Sequence, residues 1–186
     1  MDRTAIVRDQ LTWHWDNQLR PRLAGLTDEE YVWEPVAGCW SVRPEGESTA
    51  PMAVGTGTHR IEFELPEPDP APVTTIAWRL GHLIVGVLGA RVGAHFGGEP
   101  MDYRGHAYAA TADEALEQLD RVYGEWTAGV ARLTEEQLAA PVGEAEGEWA
   151  EHPMLELVVH INREVIHHGA EIALLRDLHA HRPLTG

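Results

Sequence analysis

Four residues of this chain combine types and spacing that could do chemistry: Glu164, His167 and His168 in "NREVIHHGAEIALLRDL", and His82 in "TTIAWRLGHL". Imidazole nitrogens and carboxylate oxygens are the donors that hold zinc, nickel, iron or manganese. Leu157, Ile161, Glu164, His168, Ile172 and Leu175 step by three or four and so share one helical face. Two polar residues one turn apart thus interrupt an apolar stripe. His160, Arg163, His167, Ala170 and Leu174 fall on a more polar flank, so the spacing makes His168 the inward imidazole and His167 the outward one. Trp78, His82, Val85, Gly89 and Val92 form a second stripe with one imidazole in it. An unpaired carboxylate in a core is costly, so an inward Glu164 requires a counter-charge, either a metal or an arginine. Three ligands from facing helices would leave a coordination position open, the arrangement of a catalytic rather than a structural site. Each piece also has a plain explanation. A lone histidine on an apolar stripe is more often a hydrogen-bonded core residue, and an i,i+4 Glu–His pair is common on solvated faces. The coincidence on two helices is what points to a metal.

The elements that must position these residues read as four long helices. Ile6, Leu11, Trp15, Leu19 and Leu23 give a first helix over residues 3 to 23 in spite of Pro21. The second begins at Thr74 or Thr75 and carries His82. The third, residues 111 to 132, opens with Thr111 and Glu114 in a capping-box arrangement. The last runs from Pro153 to His179, with Pro153 suited to a first helical position and His179 with His181 placed in a frayed end. Between the first two helices, residues 33 to 72 lose periodicity and gather prolines and glycines. A connection of that length is usually functional or mobile. Within it only "HRIEFEL" alternates like a short extended piece. The fold class expected is all-α: a four-helix bundle with a long crossover, in one domain spanning 1 to 186.

Composition narrows the chemistry. The chain has 30 acidic against 14 basic residues, a formal charge of -16, and every basic residue is arginine. This excludes a Schiff-base lysine and argues against nucleic acid and anionic membranes as partners, since both need a basic footprint. The single cysteine, Cys39, cannot form an internal disulfide, and "MDRTAIVRDQ" lacks the apolar core of a secretory signal, so a cytoplasmic location is expected. "LIVGVLGARVGAHF" is short, glycine-rich and broken by Arg91 and His95, unlike a membrane span. Cys39 has no basic or helix-start context to activate it. Trp13, Trp15, Trp33 and Trp40 cluster early among seven tryptophans, where core packing explains them more simply than a ligand pocket.

At these residues the chain resembles the DinB-like superfamily of helical-bundle metalloenzymes. "LTWHWDNQLRPRLAGLTDEEYVWEP" resembles the opening helix and turn, "TTIAWRLGHL" the second-helix histidine motif, and "HINREVIHHGAEIALLRDL" the closing helix. The resemblance implies up-down-down-up topology and a homodimer. It also implies a metal held in most members by three histidines, two of them at H-x-x-x-H on the last helix. His82 matches the first. The second place reads Glu164-x-x-x-His168 instead, similar to the Glu and His pair of the mycothiol-dependent maleylpyruvate isomerase branch. Aligning His167 in place of His168 would put Arg163 at the other ligand position and degrade the site. The branch implies a metal-dependent enzyme in which a low-molecular-weight thiol, mycothiol-like, is held as thiolate to attack a small electrophile. His82, Glu164 and His168 would be the ligands, and Arg163 would orient a carboxylate of thiol or substrate. Two rivals stand beside it: a non-catalytic metal- or ligand-binding dimeric bundle, and a two-histidine, one-carboxylate iron site for oxygen chemistry.

Overall fold

The computed structural model describes residues 3–183. Four long helices dominate: α1 (residues 3–23), α3 (Ile76–Phe96), α4 (Ala112–Ala131) and α6 (Met154–Ala180). The short α2 (Asp28–Val32) follows α1, and α5 (Glu135–Ala139) and a 3₁₀ turn (Glu144–Trp149) lie between α4 and α6. α1 and α3 each pack against both α4 and α6, so the four enclose one core. Leu11, Trp15, Leu19 and Leu23 bury the inner stripe of α1, but Ile6, expected on the same stripe, is exposed. α1 continues through Pro21 because a π-helical turn, Trp15–Leu19, precedes it. There the Arg20 N–H reaches back to the Trp15 carbonyl, and Pro21 follows with no N–H to place.

The helix starts obey side-chain chemistry. Thr75 accepts from the Trp78 N–H to cap α3. Thr111 accepts from the Glu114 N–H to cap α4, but the Glu114 carboxylate reaches Ala110 N–H rather than closing the expected box on Thr111. α3 has the length and apolarity of a membrane span, yet most of it is buried in this core. α6 stays helical through Ala180, so His179 is no frayed end. It is buried, edge-on to Trp33.

The all-α expectation needs one correction. The crossover carries a three-stranded antiparallel sheet in the order β1-β3-β2, made of β1 (Val42–Pro44), β2 (Met52–Val54) and β3 (His59–Phe63). Val42 and Val54 flank Ile61 in register. Only β3, the alternating "HRIEF", is long enough to leave a pattern; three-residue strands leave none. The sheet sits on the start of α3, where Ile61 is buried near Gly81 and the Trp78 indole N–H donates to the Glu62 carbonyl at 2.8 Å. The long connection is therefore a platform laid against the helix that carries His82.

Candidate metal centre

Two aromatic side chains hold His82. Trp78, one turn earlier on α3, stacks beneath its ring with centroids 5.3 Å apart and planes within 15°. Tyr103, from the α3–α4 connection, lies nearly parallel to the ring, and its hydroxyl meets His82 Nδ1 at 2.6 Å. Gly86 makes room for that phenol: a Cβ there would stand 1.9 Å from the Tyr103 oxygen. Directly after His82 the helix widens into a π-helical turn, Leu83–Gly89. Such turns interrupt the α-helical hydrogen-bond ladder and recur at functional sites. Here Arg91 Nη1 donates to the Gly86 carbonyl at 2.5 Å.

On α6, His168 is buried and its ring meets His82 edge to face, centroids 4.7 Å apart at 89°. His168 Nδ1 donates to Glu171 Oε2 at 2.6 Å, and its Nε2 lies 3.5 Å from Glu164 Oε2. Arg79, on α3 and over the Trp78 face, pairs with the same Glu171 oxygen at 3.1 Å. A cavity of about 370 Å³ opens beside this cluster, lined by His82, Tyr103, Glu164, Arg91 and His160 with apolar Val85, Met101 and Ile161. Burial, and after it the charges of His168 and Arg79, push His82 down to about 4 against the pull of Glu164 and Glu171. At neutral pH its imidazole is therefore uncharged and keeps a lone pair. Burial likewise raises the Tyr103 phenol to about 12, so it stays protonated.

His82, Glu164 and His168 are thus brought together, His82 and Glu164 at one cavity and His168 against both. Glu164 is less enclosed than its stripe suggested, with a quarter of its side chain exposed. Arg163 Nε at 3.4 Å and His160 Nδ1 at 3.6 Å lie near its Oε1. His167 is on the outer flank, 3.6 Å from Glu171 Oε1. Arg163 is exposed, donates to His160 Nδ1, and lines a separate groove of about 670 Å³ that shares Arg91 and His160 with the smaller cavity. Two residues escaped sequence reasoning. Glu171 had a signal, standing three residues after His168 on the Glu164 face. Tyr103 had none, since a loop residue carries no periodicity. His95 finds a partner that its spacing did not show: it donates to Glu146 at 2.8 Å, beside Arg91. Cys39 is buried and its thiol is pushed up, chiefly by that burial.

Two donor sets can be drawn. His167, His168 and Glu171 offer ligand atoms all within 4.8 Å of one another. His82, Glu164 and His168 differ in kind: both imidazoles have Nδ1 engaged, by Tyr103 and Glu171, which leaves both Nε2 atoms, with a carboxylate alongside. Engagement of the second ring nitrogen is how metal-binding histidines are normally oriented. The residues present fit a divalent cation.

A profile of the DinB superfamily matches residues 10–172. The chain belongs to the DinB superfamily. The match runs from α1 to the end of the histidine cluster and so takes in His82, Glu164, His168 and Glu171. Comparison with curated proteins and with solved structures returned no match. As a DinB-superfamily chain, it places its His/Glu group between α3 and α6, with the crossover sheet bracing α3 from outside.

Proposed function

We propose that this chain is a metal-dependent enzyme that activates a low-molecular-weight thiol, mycothiol-like, for transfer to or isomerisation of a small electrophile. His82, Glu164 and His168 would hold one divalent cation: zinc, nickel, iron or manganese. The observation that carries the reading is the pair of imidazoles meeting edge to face, each with Nδ1 engaged, next to a carboxylate whose polar neighbours among the described residues stand back at 3.4 to 3.6 Å. A cation in such a set lowers the pKa of a coordinating thiol so that it is deprotonated near neutral pH.

The chain's own residues do the rest. Tyr103 and Trp78 fix the His82 ring, and the apolar wall of Val85, Met101 and Ile161 limits water at the cavity. Arg163, at the groove that shares Arg91 and His160 with the cavity, binds a carboxylate of thiol or substrate. Contacts of α1 support the up-down-down-up topology: Trp15 with Tyr123 and Arg20 with Asp120 suit an antiparallel α4, and Leu19 by Gly169 and Arg22 with Asp177 suit a parallel α6. A cytoplasmic homodimer that takes small molecules rather than nucleic acid or membrane accords with the lone cysteine and the charge of -16. One observation favours the rival of a non-catalytic metal- or ligand-binding bundle: the Arg163 guanidinium already lies near Glu164 and can neutralise it without a metal.

The test is elemental analysis of untagged protein, comparing wild type with His82→Ala and with Glu164→Ala plus His168→Ala. About one metal per chain in wild type and little in either variant supports the reading, with thiol consumption against small electrophiles as the next assay. Folded wild type that takes up no added metal sinks it.

A further inference from the structure

Glu171 can be read in two ways, as a ligand with His167 and His168 or as a partner of His168 alone, and the distances choose between them. Two atoms bound to one tetrahedral cation at about 2.0–2.2 Å stand roughly 3.4 Å apart. Glu171 Oε2 and His168 Nδ1 are 2.6 Å apart, a hydrogen-bond length. The same oxygen carries Arg79 Nε at 3.1 Å, a fixed positive charge that repels a cation there. The third member of that trio, His167, is exposed on the outer flank, 3.6 Å from the other Glu171 oxygen.

From this geometry we infer that Glu171, clamped by Arg79, is a positioning residue: it fixes the ring and tautomer of His168 so that Nε2 is presented to the metal. Arg79 Nε, 3.1 Å from Glu171 Oε2, pairs with it as with a carboxylate. An ionised carboxylate only accepts, so the proton of that bond sits on His168 Nδ1. The lone pair is then on Nε2, the atom 3.5 Å from Glu164, in the ring that meets His82. Tyr103 plays the matching part for His82 through a neutral hydroxyl. The two ligands are therefore unequal: a charged acceptor behind His168 makes it the more basic donor. This inference rests on the metal reading above.

The test is zinc affinity, by competition with a chromophoric chelator, in wild type, Glu171→Gln and Arg79→Met, with thermal midpoints as the folding control. Glu171→Gln should bind zinc about 10–100-fold more weakly, and Arg79→Met should show a smaller fall. The visible spectrum of the cobalt(II)-substituted protein should be unchanged in both, because the ligand atoms are the same. In metal-free wild type, ¹⁵N–¹H spectra should show His168 protonated at Nδ1, and Glu171→Gln should lose that preference. An altered cobalt spectrum or lost stoichiometry in Glu171→Gln would make Glu171 a ligand and overturn the inference, as would zinc affinity indifferent to the substitution. Wild type that binds no metal is a separate result, which overturns the proposed function itself.

Discussion

Two carboxylates of this protein, Glu62 in the crossover and Glu164 on α6, show how framework and site differ in their hydrogen bonding. Glu62 is 2% exposed and saturated: Ser41 N–H at 2.8 Å on one oxygen, Arg43 Nε at 3.0 Å and Ser48 Oγ at 2.7 Å on the other. Glu164 is a quarter exposed, and its polar neighbours among the described residues stand at 3.4 to 3.6 Å. A buried charge persists only when it is paired, and Glu62, with both oxygens engaged at 3.0 Å or less, ties β3 to Ser41, Arg43 and Ser48. Glu164 keeps its acceptor capacity, which is what a ligand needs.

Each of the two carboxylates can be removed on its own. The largest effect should come from Glu62→Ala, which takes the acceptor from the buried Ser41 N–H and from Ser48 Oγ and leaves Arg43 with Glu34 as its one carboxylate partner among the described residues. We expect a loss of about 3 kcal/mol in chemical denaturation with metal content per folded chain unchanged. Nearly as large is the pH response of the metal-free protein. An unfolded histidine takes its proton near pH 6.5, while folded His82 resists until about 4. Between those values the unfolded chain binds the extra proton, so this contribution is complete above about pH 6.5 and falls away as the pH drops toward 4. Over that window it amounts to about 3 kcal/mol. Denaturation curves at stepped pH measure it, and His82→Gln should flatten the dependence.

Gly86→Ala should cost about 1–3 kcal/mol by overpacking against the Tyr103 hydroxyl, although alanine in an ordinary helix gains about 1 kcal/mol over glycine. Weaker metal binding should accompany it, since Tyr103 must leave His82. The smallest stability change, within about 0.5 kcal/mol, belongs to Glu164→Gln, and it should be paired with a large loss of bound metal. A Glu164→Gln protein as damaged as Glu62→Ala would erase the distinction between the two carboxylates.

The parts of this design that repeat were open to sequence reasoning. The stripe of Leu11, Trp15, Leu19 and Leu23, the threonine caps and the helix faces that carry His82 and His168 all follow from residue type and helical spacing. Parts that depend on a single contact were not. β1 and β2 are too short to show alternation, Tyr103 arrives from a loop, and the Arg79–Glu171 pair joins two helices whose register no spacing within either one encodes. Glu164 fell between these cases: its helical face was readable, but its exposure depends on where the α3–α4 connection leaves an opening.

The π-helical turn after His82 has a consequence for how such a chain can change over time. A π turn holds one residue more than the α turn it replaces, so Leu83–Gly89 takes up an extra residue while His82 before it and Val92 and Phe96 after it keep their partners. A single deletion inside the turn can be absorbed by its return to α-helix. The same deletion elsewhere in α3 would rotate one half against the other by about 100°. The turn is therefore where this helix can change length with least disturbance to either end.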